Sequence, residues 1–258
     1  MTETNPPVQT TILESGAVWR VTFGASKGNV LDAALVAELT ALFRRAAIDR
    51  SLKAIVLEGQ GRHFSFGASV EEHTPEHVTG MLHGFHNLFR AIFDASVVTI
   101  AVVRGACLGG GLELATACHR IYATPDASLG QPEIVLGVFA PVASILLPER
   151  VNRVHAEDLL LSGRTIDGEG AFRIGLVDGV SEDPLAEALD YVRDRLLSHS
   201  ASSLRFAVRA ARAGLIDRFN QEIARLEHQY LDALMRTKDA NEGLHAFLEK
   251  RKPVWSNS

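Results

Sequence analysis

A run of seven mostly β-branched residues followed by three consecutive glycines constrains this chain more than any other feature. Residues 97–103 read VVTIAVV, and a strand that is apolar on both faces belongs in the centre of a covered sheet. Gly109, Gly110 and Gly111 follow, and the next residues, LELATA, are typical of a short helix. The order predicts a strand-to-helix turn in an α/β fold, at which we expect the chemistry.

Strand and helix patterns alternate through the first two thirds of the chain. Residues 9–13 and 18–23 predict a β-hairpin, and Asp32 is predicted to cap a helix. Buried strands are predicted at residues 54–57, 121–123 and 176–177. Residues 185–248 are almost entirely helical by periodicity. We therefore predict an α/β core over residues 1–195 and a helical region over residues 196–258, whose apolar stripes would serve oligomerisation.

Composition and charge exclude several classes of protein. The 258 residues carry a net charge of −5, and only Lys250, Arg251 and Lys252 form a basic run, so no nucleic-acid partner is expected. No apolar run reaches the roughly 18 residues of a membrane span. Two cysteines and a start without a basic patch or apolar stretch predict a cytoplasmic protein with reduced thiols.

The glycine triplet leaves two interpretations open. A turn between a strand and a helix can bind an anion, because the first helical N–H groups lack partners; alternatively, the glycines only allow close packing of helix on sheet. A nucleotide loop does not fit, since no Lys-Ser or Lys-Thr follows and Leu114 stands where the dinucleotide fingerprint has a small residue. Glu113, in the first turn of an apolar helix, is either a functional carboxylate or a helix-capping one.

Longer motifs connect these features to a known family. The chain reads HFSFGAS over residues 63–69, ACLGGGLELA over 106–115 and LGQPEIVLG over 129–137. These segments closely resemble the signature of the crotonase superfamily, the enoyl-CoA hydratases and isomerases. Further matches, LSGR at 161–164 and FLEKRK at 247–252, extend the resemblance over most of the chain. It implies a crotonase-like spiral of ββα units with a C-terminal helical trimerisation region, assembled as a homotrimer or homohexamer.

The resemblance also implies catalytic roles. The backbone N–H groups of Ala68 and Gly110 would form an oxyanion hole for the thioester carbonyl of an acyl-CoA substrate. Glu113 and Glu133 match the two acidic positions that handle water and proton in the hydratases, and the presence of both favours hydration. Which glutamate is the acid and which the base stays open. No cofactor is implied, because CoA is part of the substrate.

Contacts to the substrate and its CoA are implied at several segments. Lys250 would reach the CoA phosphate of a neighbouring subunit, or else it is a solvated basic helix end. The implied contact residues are Lys27, Asn29, Val30, Phe66, Ala68, Val70, Gly109, Gly110, Pro141 and Lys250.

One segment departs from ordinary short-chain hydratases. Residues 140–144 read APVAS where those enzymes have Pro-Gly-Ala-Gly-Gly, so Pro141 lacks an N–H to hold a water, and Val142 and Ala143 are expected to add bulk beside the acyl pocket. In this respect the chain resembles the cyclohexa-1,5-dienecarbonyl-CoA hydratases of anaerobic aromatic degradation. The alternatives are a short-chain enoyl-CoA hydratase, a dienoyl-CoA isomerase or, more remotely, a non-catalytic binding protein of the same fold.

Histidines at helical spacing raise the question of a metal site. His73 and His77 are four residues apart, and His83 and His86 follow. We expect no metal, and assign these side chains to solvent or, for His73 or His77, to a lid over the acyl pocket.

Overall fold

The computed structural model describes residues 6–24, 28–74 and 76–258, and these form a mixed α/β structure with a helical C-terminal region. The strands are β1 Val8–Leu13, β2 Val18–Phe23, β3 Ala54–Gly59, β4 Val98–Val103, β5 Ala106–Leu108, β6 Arg120–Ala123, β7 Ser128–Gly130, β8 Thr165–Asp167 and β9 Gly179–Val180. The helices are α1 Ala33–Ile48, α2 Val78–Ala95, α3 Gly110–Thr116, α4 Pro141–Arg150, α5 Arg153–Ser162, α6 Gly168–Arg173, α7 Pro184–Arg195, α8 Ala201–His228 and α9 Lys238–Leu248.

Two sheets organise the described residues. The larger has the order β1-β2-β3-β4-β6-β9, with β1 antiparallel to β2 and the later pairs parallel. The smaller has the order β5-β7-β8. After β4 the chain enters the smaller sheet through β5 and then forms α3; after β6 it enters through β7. This repeated passage from large sheet to small sheet to helix confirms the predicted ββα architecture.

The predicted central strand lies inside the large sheet with both faces covered. Alternate side chains of β4 point to opposite sides, as the two-residue period of a strand requires. Ala101 and Val103 belong to the main core with α1, α2 and α3, whereas Ile100 and Val102 pack on the other face against α7. The strand therefore ends deep in the protein, and the glycine turn that follows it is buried as well.

The hairpin, the capped helix and the helical C-terminal third are confirmed, but one predicted strand is wrong. Residues 176–177 are not a strand, since the N–H groups of Leu176 and Val177 bond the carbonyl of Ala171 and thereby close α6. Both side chains are buried in the main core, which explains the apolar pattern, and the strand β9 begins at Gly179.

The C-terminal helices pack on the core of their own chain. Phe219, Ile223 and Leu226 of α8 belong to the main core. After α8 a π-helical turn, Gln229–Ala233, carries the buried Tyr230. The division at residues 195 and 196 stays a prediction, as does a role of this region in assembly. None of the helices in the described ranges has the length and apolar character needed to cross a bilayer.

Replacing the residue that caps the N-terminus of α1 tests this local structure. The Asp32 carboxylate accepts the N–H of Leu35 at 2.8 Å. We expect Asp32→Ala to lower the free energy of unfolding by about 1 kcal/mol, and Asp32→Asn by less, because asparagine keeps the acceptor. Urea unfolding at one fixed protein concentration measures both. Equal losses in the two variants would contradict the capping role.

Candidate active site

The glycine turn between β5 and α3 brings a carboxylate against the backbone. Gly109 has φ +52° and ψ −127°, and its N–H donates to the carbonyl of Gly130 at 2.9 Å, which ties the turn to β7. A Cβ atom at Gly109 would lie 2.7 Å from Oε1 of Glu133. The positive φ and this close approach both require glycine.

A second loop reaches the same point from the end of β3. The N–H of Ser65 donates to Ala106 and the N–H of Leu108 donates to Ser65, each at 3.0 Å, so this loop runs beside β5. The Ser65 hydroxyl donates to the carbonyl of Asn29 at 2.8 Å and accepts the N–H of Gly67 at 3.0 Å. These bonds fix the backbone leading to Ala68.

The N–H groups of Ala68 and Gly110 come together where the two segments meet. A Cβ atom at Gly110 would lie 3.0 Å from the Ala68 nitrogen, and one at Gly67 would lie 3.2 Å from the Gly110 nitrogen. Within the described part of the chain, neither N–H has a hydrogen-bond acceptor. Two adjacent free donors, one of them at the start of a helix, can stabilise an oxygen that becomes negative during a reaction.

Glu113 projects from the first turn of α3 into the interior, where its side chain is buried. Its Oε1 accepts the N–H of Ala143 at 2.7 Å, in the first turn of α4. Burial raises the pKa of Glu113 to about 7, although bonds from the backbone of Ala143 and Val142 oppose the rise. The carboxyl is therefore poised to exchange a proton near neutral pH.

Glu133 lies in a 3-10 segment, Pro132–Leu136, directly after β7. When the Gln131 side chain is oriented with its NH₂ group toward Glu133, it donates to Oε2 and Oε1 of that carboxyl at 3.0 and 3.1 Å. Burial, and then the charge of Glu113, raise the pKa of Glu133 to about 8. Between these two pKa values the pair carries a single proton, so one member can act as acid while the other acts as base.

Two connected cavities meet at these groups. The outer cavity, of about 560 Å³, is mostly apolar. The inner one, of about 30 Å³, is lined by the two glutamates, by His86 and apolar side chains of α2, and by Tyr230. Both cavities share Ala68, His73, Gly110 and Glu133 as walls. A long molecule can thus occupy the outer cavity and place one end at the N–H pair and the carboxyls.

The structure separates the other predicted contact residues into groups. Val30, Phe66, Val70 and Gly109 line the outer cavity, and Pro141 lines the inner one. The roles of all of them stay predictions. The remaining three do not line either cavity as described. The Asn29 amide is buried and donates to the carbonyls of Gln60 and His63. Lys250 follows α9 on the surface, and Lys27 lies outside the described residues.

The expectation that Val142 and Ala143 add bulk beside the acyl pocket is wrong. Both side chains are fully buried in the main core, because they lie on the inner face of α4. The backbone of Ala143 matters instead, through its bond to Glu113. The wall next to Pro141 is formed by Phe139 and Ala140.

Sequence reasoning missed several residues around the carboxyls. Gln131 stands two residues before Glu133, and this spacing was a usable signal. The assignment of His86 to solvent is wrong, because its ring is completely buried and its Nδ1 contacts Glu227. Glu227 and Tyr230 were not identified as site residues, because they come from elements far from the glutamates in the chain. In the described ranges no cluster of three or more His, Cys, Asp or Glu side chains could hold a metal ion; the expected absence of a metal stays a prediction.

Comparison with known proteins places this geometry in a family. A family model described as enoyl-CoA hydratase/isomerase matches residues 14–258. A protein of Thauera aromatica named cyclohexa-1,5-dienecarbonyl-CoA hydratase is 47% identical over 257 residues, covering 100% of both chains. A probable enoyl-CoA hydratase of Rhizobium meliloti is 37% identical over 87% of this chain and 88% of its own. The crystal structure of an enoyl-CoA hydratase from Mycobacterium avium is similar with a TM-score of 0.86 at 28% identity, covering 98% of this chain and 100% of that one.

Burial of Glu113 predicts a stability effect with a definite sign. Its pKa rises from 4.5 to about 7 on folding, so the folded protein holds the proton more tightly than the unfolded chain. This contribution is fully present below pH 4.5 and is lost as the pH rises through about 7. We expect Glu113→Gln to be more stable than the wild type by about 2–3 kcal/mol near pH 8.5, with the difference vanishing near pH 4.5.

Urea unfolding across this pH range measures the effect at constant protein concentration. Glu38→Gln, which removes an exposed carboxylate of α1, is the matched control and should follow the wild type. A constant difference between Glu113→Gln and the wild type at every pH would show that burial does not raise the pKa.

Proposed function

Because this chain belongs to the enoyl-CoA hydratase/isomerase family, we propose that it adds water to cyclohexa-1,5-diene-1-carbonyl-CoA, giving 6-hydroxycyclohex-1-ene-1-carbonyl-CoA. Two adjacent free N–H groups beside two carboxyls whose pKa values are raised to about 7 and about 8 carry the proposal. The identity of 47% over the full length to a hydratase named for this substrate supports the choice of acyl group. The reaction would belong to anaerobic aromatic degradation.

The N–H groups would act on the thioester. The carbonyl oxygen accepts from Ala68 and Gly110, and hydroxide adds to the ring carbon β to that carbonyl. The displaced electron pair moves onto the oxygen, where each donor is worth about 2.7–4 kcal/mol of the barrier. Return of this pair forms a double bond on the other side of the α carbon, while the far end of the dienolate takes a proton.

The two glutamates would divide the acid and base work. The ionised member of the pair removes a proton from water, and the water thus supplies both the hydroxide and a proton. Because atoms and charge balance with water alone, the reaction needs no cofactor and no metal. Gln131 and Ala143, which donate to the two carboxyls, keep them oriented toward the junction of the cavities.

The outer cavity would hold the pantetheine arm of CoA along Val30, Phe66 and Val70. Lys250 is proposed to contact a CoA phosphate of a neighbouring subunit in a homotrimer or homohexamer. Exposed apolar side chains such as Phe206 and Phe247 suit such an assembly. Two buried, free cysteines suit a reducing cytoplasm, which is the proposed location.

The choice of substrate is tested by offering two thioesters to the purified protein. We expect kcat/KM for cyclohexa-1,5-dienecarbonyl-CoA to exceed that for crotonyl-CoA by at least about 10²-fold, since ring contacts in the cavity are worth several kcal/mol. Product identification by mass spectrometry and NMR gives the position of the hydroxyl. Equal or better turnover of crotonyl-CoA would favour a short-chain enoyl-CoA hydratase, and a shifted double bond without added water would favour an isomerase.

The shared proton predicts a bell-shaped pH dependence. We expect kcat to rise with pH through about 7, as the pair loses its first proton, and to fall through about 8, as it loses the second. Glu113→Gln and Glu133→Gln should each lower kcat by about 10²-fold or more while retaining affinity for the CoA ester. Glu38→Gln is again the control. Near-normal turnover in either glutamine variant would remove that residue from the pair.

A further inference from the structure

A histidine outside the glutamate pair faces the inner cavity with one nitrogen free. His86 lies on α2, and its ring is completely buried. Its Nδ1 lies 2.5 Å from Oε1 of Glu227, a residue of the last turn of α8. Because a carboxylate accepts, Nδ1 carries the hydrogen, and Nε2 is left with its lone pair.

The Nε2 atom has no hydrogen-bond partner among the described residues, although it is shielded from solvent. Such an atom costs free energy unless something occupies the space before it. His86 lines the inner cavity together with Glu113, Glu133 and Tyr230, and the Tyr230 hydroxyl is likewise buried without a partner. The cavity has room for about one water or a substrate edge. Two such unsatisfied groups at one small cavity point to a polar or reacting atom of a ligand.

The proposed reaction requires a second proton-transfer position. The thioester oxygen is held at Ala68 and Gly110, and the carbon that takes hydroxide lies beside the glutamates. The carbon that takes the proton is on the opposite side of the ring. The glutamate that activates the water therefore lies away from this carbon. The inner cavity, on the α2 side of the glutamates, is where this far carbon would point.

We propose that His86, oriented by Glu227, transfers the proton at the far ring carbon. While the ionised glutamate takes a proton from water, the protonated one gives its proton to Nε2, which delivers it to that carbon; in dehydration the lone pair removes it again. The C–H bond forms as the N–H bond breaks, and the electron pair comes from the dienolate, so water remains the only reactant added. This assignment rests on the proposed function.

Glu227 makes the imidazole suitable for this step. Burial lowers the pKa of His86, while the bond and charge of Glu227 raise it, and Arg90 and His83 of the same helix lower it slightly. Across the cavity the charged neighbours are the two glutamates. At rest the ring is neutral and accepts a proton, and the Glu227 carboxylate stabilises the short-lived imidazolium. The burial of Tyr230 raises its pKa, so its hydroxyl can donate a hydrogen bond but does not release its proton.

The first experiment compares His86→Gln with the wild type on cyclohexa-1,5-dienecarbonyl-CoA. We expect kcat to fall by about 10²-fold or more, while affinity for benzoyl-CoA, an aromatic thioester that cannot be hydrated, stays within about threefold. His199→Gln is the matched control, since His199 is exposed and lines neither cavity. Turnover of the dienoyl-CoA by the wild type tests the proposed function separately, and its absence would overturn both proposals.

A second variant separates chemistry from folding. Glu227→Gln keeps an acceptor for Nδ1–H but removes the charge that stabilises the imidazolium, so we expect kcat to fall about tenfold with unchanged KM. Deuterium from D₂O should enter the far ring carbon more slowly in both variants. A kcat of His86→Gln within about threefold of the wild type, or equal losses of kcat and benzoyl-CoA affinity in both variants, would overturn the assignment.

Discussion

Backbone pairing in the small sheet determines where the N–H groups of Ala68 and Gly110 and the carboxyl of Glu133 lie. The loop at Ser65 lies beside β5, and β5 pairs with β7, so three chain segments run side by side over a few residues. The first segment ends at Ala68, the second at Gly110 and the third leads to Glu133. Because neighbouring strands are held about 4.8 Å apart, the donors and the carboxyl come within reach of one substrate atom. The glycines are required here, since a side chain at Gly109 or Gly110 would occupy that space.

The site concentrates groups that oppose folding. Burial shifts the pKa values of two carboxyls and a histidine, and at the inner cavity Nε2 of that histidine and the Tyr230 hydroxyl have no partner among the described residues. The hydrophobic packing around them must offset this cost. Native proteins retain buried polar groups without partners where a bound ligand supplies the missing interactions. The same reasoning makes the glutamate pair reactive: carboxyls that solvent would hold ionised share a proton in this interior.

The sequence predicted the parts of the site that are local. A β-branched strand over residues 97–103, the glycine triplet at 109–111 and Glu113 identify the turn, and family motifs extend the prediction to Ala68 and Glu133. Contacts between distant residues have no such signal: His86 and Glu227 are 141 positions apart, and their pairing depends on how α2 crosses α8. The wrong strand at residues 176–177 has a similar cause. Burial alone makes a segment apolar, and it does not distinguish a strand from a loop that closes a helix.

The π-helical turn after α8 makes the shape of the pocket sensitive to chain length. A π turn contains one more residue than an α turn would hold between the same hydrogen bonds. Loss of a single residue from Gln229–Ala233 would convert it to ordinary α-helix and rotate the following side chains by about 100° relative to α8. Glu227, before the turn, would keep its contact with His86, whereas the wall at Tyr230 would be replaced. Insertion or deletion at this turn is thus a route by which related chains could diverge in the acyl groups they accept, without altering the sheets or the glutamates.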